Sequence, residues 1–228
     1  MTYRHKEACN DKWVNEIVFP NTKGYFVEAG AVDGLGGSTC YALEKEGWKG
    51  ICVEANKYEY EKLNRNRKAK CVNVALSNRN NKVKFYVSKN KFRSGIMDSL
   101  QKNKNPNDKS GWKQMGKKDM YEIDSISLTS LLERYGAPDI INYLSLDIEG
   151  SEFDVLSGFD FKGKYKILAI TIEGYDCIKL MKENGYLHVN NPYNRKANYE
   201  QYFIHPDLKE NYPIKHLESK TIIPEKFK

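Results

Sequence analysis

The 228-residue sequence has no apolar run long enough to cross a bilayer; the longest, Ile167 to Ile172 (ILAITI), falls far short of a span. Its start, MTYRHKEACND, lacks the apolar stretch that a secretory leader needs. Both absences argue against membrane insertion and lead us to expect a cytoplasmic protein. Cys9, Cys40, Cys52, Cys71 and Cys177 form an odd, scattered set with no CxxC pair. That argues against a disulfide framework or a zinc knuckle and for a reducing compartment. There is also no internal repeat and no domain linker. The length therefore suits one large domain with small additions, enough to bury a sizeable core.

What is present is ordinary in bulk, with 40% hydrophobic and 29% charged residues, the balance of a soluble globular chain. The net charge of +7 is compatible with a nucleic acid, an acidic surface or an anionic substrate. The lysines come with many asparagines and tyrosines, so the excess reads first as a solvated surface.

The informative stretch is Gly24 to Thr39, GYFVEAGAVDGLGGST. An apolar run, Tyr25 to Val27, ends in Glu28 and breaks into Gly30, Gly34, Gly36 and Gly37, which reads as strand, tight turn and helix start. Glycines there let a backbone approach a ligand and leave N–H groups for an anion. A turn built only for phosphates has no use for Glu28. A ligand carrying an amine beside a carboxylate does, and S-adenosylmethionine is one.

Along the chain, residues 1–23 carry Trp13, Val14, Ile17, Val18 and Phe19 at helical spacing, predicting an amphipathic helix that packs on the domain and ends near Pro20. Strands are predicted at Lys49 to Glu54, Lys70 to Leu76, Lys82 to Val87, Tyr121 to Ser127, Ile140 to Ile148 and Lys166 to Glu173. Helices are predicted at Tyr41 to Glu46, Lys57 to Asn66, Leu128 to Tyr135, around Phe153 to Leu156, and at Cys177 to Asn184. Tyr186 to Val189 and Tyr199 to His205 read as a closing antiparallel pair. Alternating strand and helix predicts an α/β fold with a mostly parallel central sheet and a C-terminal antiparallel hairpin. From Ser88 to Lys118 the periodicity vanishes, and a loop of that length in a compact domain is usually functional or disordered. Residues 24–205 are thus the domain, and 206–228 a surface tail.

Ligands of an open parallel sheet bind outside the carboxyl ends of its strands. Glu28, Glu54, Asp147 and Glu173 each end a predicted strand, a pattern that points to a site more than to solubility. Glu54, on the second strand, is placed to accept both hydroxyls of a ribose.

The stretches VEAGAVDG (27–34), GICVEAN (50–56), VNVALSN (72–78), SGIMDSL (94–100), SLTSLLERYGAPDIINYLSLDIEGSEFDVLSG (127–158), AITIEG (169–174), ENGY (183–186) and YFIHP (202–206) resemble the FkbM family of S-adenosylmethionine-dependent methyltransferases. The run Asp147, Glu149, Gly150, Glu152 is its most specific part. The resemblance implies a class I methyltransferase (Rossmann-like) fold. It implies Glu28, Gly30 and Asp33 at the methionine end of the donor, with Gly34 and Ser38 in the same turn. Glu54 and Ala55 would lie at the ribose and Ala75 near adenine. It favours a hydroxyl acceptor, often on a sugar or polyketide. The lysine-rich middle, 101–118, departs from the family pattern.

Methyl transfer from a sulfonium is an in-line displacement, so alignment carries much of the rate. An alcohol needs a base or a metal as well. Asp147 and Glu149 can each take the proton; Asp147 with Glu173 can alternatively hold a divalent cation through oxygen. His188 and His205 are further base candidates. Ser94 and Gly95 are expected to border the acceptor pocket with Glu173, and 88–118 to act as a lid in which Trp112 stacks on the acceptor. Two other readings compete with this one. A short-chain dehydrogenase would use Tyr58 and Lys62, which sit on the wrong helix for it. A nucleic-acid-binding module, or RNA as acceptor, would use the lysines of 88–118 with Phe92 and Trp112.

Overall fold

The computed structural model describes residues 2–6, 8–102, 117–194 and 199–219. Eleven strands are described: β1 Tyr25–Ala29, β2 Lys49–Val53, β3 Lys70–Val72, β4 Ala75–Ser77, β5 Asn81–Ser88, β6 Gly95–Ile96, β7 Lys117–Ser127, β8 Ile140–Leu146, β9 Lys166–Glu173, β10 Leu187–Val189 and β11 Glu200–Ile204. The helices are α1 Asn10–Trp13, α2 Tyr41–Lys45, α3 Lys57–Asn66, α4 Met97–Lys102, α5 Leu128–Arg134, α6 Glu152–Ser157 and α7 Ile178–Glu183.

Seven strands make the central sheet in the order β3-β2-β1-β8-β9-β11-β10. From β3 to β9 they run parallel, while β11 is antiparallel to both β9 and β10. Strand order reverses between β1 and β8, the place where an open α/β sheet leaves a crevice at its carboxyl end.

Alternation along β1 divides the core. Val27 and Ala29 face a layer holding Leu131 and Leu132 of α5, Val155 and Leu156 of α6 and Ile178 and Met181 of α7. Phe26 faces the other layer, with Trp13 of α1, Leu43 of α2 and Leu63 of α3. Caps fix two of the helices: Asn56 accepts from the N–H of Tyr58 ahead of α3, and Ser127 from that of Ser130 ahead of α5.

The expected strand Lys70 to Leu76 is broken. Asn73 turns its amide onto the carbonyls of Glu54 (2.8 Å) and Ala55 (3.2 Å), leaving β3 in the central sheet and sending β4 into a second one. That sheet, β4-β7-β5-β6, is inserted between β3 and β8 and pairs antiparallel except at β4. The start of the 88–118 segment is ordered: a 3₁₀ turn at Lys91–Arg93, then β6 and α4. Its middle, with Trp112, lies outside the described residues.

The expected N-terminal helix is the short α1, continued by a π turn at Val14–Val18. Trp13 is fully buried, and its indole donates to Tyr212 Oη at 2.8 Å, joining the N-terminal segment to the chain after β11. None of the five cysteines is in a disulfide. No described helix is long and apolar enough to cross a membrane.

Candidate active site

The turn after β1 is closed down on β8. Gly30 has φ +81°, and a Cβ there would stand 1.8 Å from the Asp147 carbonyl oxygen. Gly30 and Ala31 both donate to the Val53 carbonyl, at 3.0 and 3.1 Å. Val32 is left-handed (φ 49°), a strained state for a β-branched residue, and its N–H donates to Glu54 Oε2 at 2.7 Å. Asn56 N–H donates to the other oxygen, also at 2.7 Å. Glu54 is therefore held by two backbone donors with its remaining lone pairs on the cavity it lines. Burial pushes its carboxyl up to about 7, against the pull of those two N–H groups.

Asp33 lies further round the turn. One oxygen accepts from the N–H groups of Leu35 (3.0 Å) and Gly36 (2.9 Å), and the other meets the ammonium of Lys91. Gly34 is also left-handed, pressed against Arg67 and Leu63.

Glu28 and Ser38, expected at the methionine end, sit one layer below it, and neither lines the cavity. On β1, Glu28 shares the face of Phe26 and points into the buried layer. Its carboxylate accepts from Ser38 Oγ (2.7 Å), Thr39 N–H (2.7 Å) and Arg67 Nη1 (2.7 Å). Burial alone would raise its pKa; Arg67 and these donors more than offset that, and it lies below the usual carboxylate value. Glu28 holds the turn from beneath.

The cavity lies at the carboxyl edge of the central sheet and is lined from both sheets. Val74 and Ala75 follow β3, Glu54 and Ala55 follow β2, and Phe85 and Ile96 of the small sheet add to the apolar lining. Asp147, Glu149 and Ser151 follow β8, across β1 from Glu54. Ser94 lines the cavity too, while Gly95 packs behind, against Glu149.

Oxygens of Asp147, Glu149 and Glu173 all lie within 4.8 Å of one another. Parallel register places them so: Leu146 of β8 sits opposite Ile172 of β9, which brings the next residues side by side. Asp147 reaches solvent through the cavity, although protein surrounds it. Desolvation, with repulsion from Glu173, drives its pKa well up, and the same two effects raise Glu149 to about 8 against the pull of Arg93. Glu149 is itself left-handed (φ 56°).

Sequence reasoning missed Glu200, Asn10, Lys91 and Arg93. Glu200 pairs in register with Glu173 and accepts from the Asn10 amide. The signal was an acid opening an antiparallel strand, which lands at the same sheet edge as acids closing parallel ones. The other base candidates are occupied elsewhere: His188 bonds Gln201 and stacks on Phe203, and His205 caps a 3₁₀ turn. Tyr58 bonds Asp119 and Lys62 pairs with Glu59, away from the cavity.

The sequence model for the methyltransferase FkbM domain matches residues 28–187. The chain belongs to the FkbM methyltransferase family. Its matched region runs from Glu28 of β1 to Leu187 of β10 and so contains the whole cavity. The order β3-β2-β1-β8-β9-β11-β10, with β11 reversed, is the class I methyltransferase sheet. A solved structure, "delta-N METTL16 MTase domain", is similar at 10% identity with a TM-score of 0.37, covering 85% of this chain and 78% of that one. The fold assignment stands on strand order and family rather than on that likeness. No curated protein matches the chain.

The turn after β1 in this FkbM domain leaves no room for a side chain at Gly30. Gly30→Ala should destabilise the fold by about 2–3 kcal/mol, since the left-handed φ alone costs about 1–3 and the Asp147 carbonyl must also move. Urea denaturation measures it; a loss under about 0.5 kcal/mol would show that the turn relaxes freely.

Proposed function

We propose that the chain transfers a methyl group from S-adenosylmethionine to a hydroxyl on a small molecule or glycan, with a carboxylate taking the proton. The observation that carries this reading is the polarity of the cavity. It runs from an apolar wall, past a carboxylate fixed by two backbone N–H groups, to a cluster of acids. The donor has the same order: a flat adenine, a ribose diol and a cationic sulfonium with its methyl. Bound there, it supplies an electrophilic methyl whose carbon–sulfur bond breaks as the acceptor oxygen attacks.

The chain's own part is to align and deprotonate. The apolar wall takes the adenine and Glu54 accepts from the ribose hydroxyls. Asp147 or Glu149 receives the acceptor proton, and a base whose pKa lies near the working pH suits that role. The clustered carboxylate oxygens also favour a second reading, in which they hold a divalent cation that polarises the hydroxyl. Turnover abolished by EDTA and restored by Mg²⁺ or Mn²⁺ would establish the cation; turnover indifferent to both leaves the carboxylate base. The acceptor is sought by incubating protein and donor with glycan, small-hydroxyl and RNA panels and reading a gain of one CH₂ by mass spectrometry. A panel methylated on nitrogen alone would overturn the hydroxyl assignment.

Glu54→Gln should weaken S-adenosylhomocysteine binding by about 1.5–3 kcal/mol, as for hydrogen bonds to a charged group. Ribose hydroxyls donate to the ionised carboxyl, so the parent's affinity should rise about tenfold between pH 6 and 8, through the Glu54 value of about 7. The Gln variant should show no such rise. Because the raised carboxyl keeps its proton longer folded than unfolded, the ligand-free protein loses Glu54's share of stability as pH rises from the ordinary carboxylate value of 4.5 to about 7. Calorimetry at pH 6, 7 and 8 decides; a pH-independent parent affinity would remove Glu54 from the ribose.

A further inference from the structure

We propose that Lys91, working with Asp33, holds the amino-acid end of the methyl donor. This rests on the donor reading above and adds a binding residue on a different element from the glycine turn. Lys91 lies at the tip of the β5–β6 connection, and its Nζ is 2.5 Å from Asp33 Oδ2. Both side chains keep some access to solvent, 33% for Lys91 and 20% for Asp33, so a small charged group can reach them. The pair stands beside the cavity, which Lys91 lines.

The tip is built in advance. Ser88 N–H donates to Ser94 Oγ and Asn90 N–H to Ser88 Oγ, both at 3.1 Å, and Phe92 N–H donates to the Asn90 side chain at 3.2 Å. Asp33 is equally fixed, one oxygen spent on the turn and the other left for a cation. The turn after β1 and the β5–β6 tip thus present a carboxylate and an ammonium side by side.

A ligand with an ammonium and a carboxylate on one carbon is the complement of such a pair. On binding, the ligand ammonium takes Asp33 Oδ2 and the ligand carboxylate takes Lys91 Nζ. Charges then alternate around a closed ring of partners, and no group is left unpaired. A ligand without that end leaves the Lys91–Asp33 pair intact and gains nothing from it.

The test compares S-adenosylhomocysteine with 5′-deoxy-5′-methylthioadenosine, which keeps the nucleoside and thioether but lacks the amino-acid end. Lys91→Met should raise the Kd of the first about 10–100-fold and leave the second within about twofold. Asp33→Asn, which retains an acceptor for the turn, should show the same discrimination. Lys82→Met, which removes an exposed ion pair elsewhere on the small sheet, should change neither Kd. Equal losses for both ligands, or no loss for either, would overturn the assignment of Lys91 while leaving the donor reading in place. A parent protein that binds neither compound would overturn the donor reading, and this assignment with it.

Discussion

Asp147→Asn is expected to bind S-adenosylhomocysteine as the parent does and to lose about 10²–10⁴-fold in turnover, the usual worth of a positioned proton acceptor. The change keeps the shape of the side chain and removes only its ability to take a proton. Donor affinity should hold because Glu54 and the apolar wall lie elsewhere in the cavity. Stability should hold or rise, since burial and the neighbouring Glu173 and Glu149 all disfavour a charge at this position and Asn carries none. Thermal melting, calorimetry and initial rates on one preparation separate the three quantities. Turnover within about tenfold of the parent would take the proton away from Asp147, and Glu149→Gln would then be expected to carry the loss. Lost donor binding together with lost turnover would mean that the cluster shapes the donor site instead.

Arg67→Met should cost about 3–5 kcal/mol of stability, the largest loss expected from any single substitution named here. Arg67 has no solvent-exposed side-chain surface, and it reaches Glu28 at 2.7 Å and Glu44 at 3.2 Å. Removing it strands the Glu28 carboxylate in the apolar layer beside Phe26. The double variant Arg67→Met with Glu28→Gln should regain much of that loss, because the penalty lies in the uncompensated charge. Glu28 also sets an acid limit. Its pKa is lowered in the folded protein, so its contribution is present above the ordinary carboxylate range and is lost as pH falls through the folded value. Urea titrations of the three proteins test this; a double variant no more stable than Arg67→Met would mean that packing, not charge, is what Arg67 supplies.

The strands were legible because buried parallel strands are apolar runs, and the acids closing them mark the sheet's carboxyl edge. Glu54, Asp147 and Glu173 could be placed from that alone. Glu28 could not. An acid near a strand end looks the same whether its face turns to the cavity or to the core, and its partner Arg67 follows a distant helix. Of the second sheet only the two long strands, β5 and β7, could be read. β6 is two residues long, and β4 pairs in parallel with a strand that comes long after it. Lys91 and Arg93 read as solvated charge until the fold set them against Asp33 and Glu149.

The inserted small sheet also bears on how quickly the chain can fold. Phe26 of β1 pairs with Tyr143 of β8, so the two middle strands cannot meet until everything between them has been gathered in. Closing so long a loop in one step is slow, because its entropy is lost before any contact rewards it. The small sheet breaks that closure into shorter ones. Within the interval β5 pairs with β7 and β4 with β7, drawing the end of β3 toward the start of β8. We expect truncations in it, such as Val87→Ala, to slow refolding, and truncations in the last strand, such as Phe203→Leu, mainly to speed unfolding. Stopped-flow folding and unfolding limbs distinguish the two, and a Val87→Ala variant that refolds at the parent rate would show that the central sheet assembles without that help.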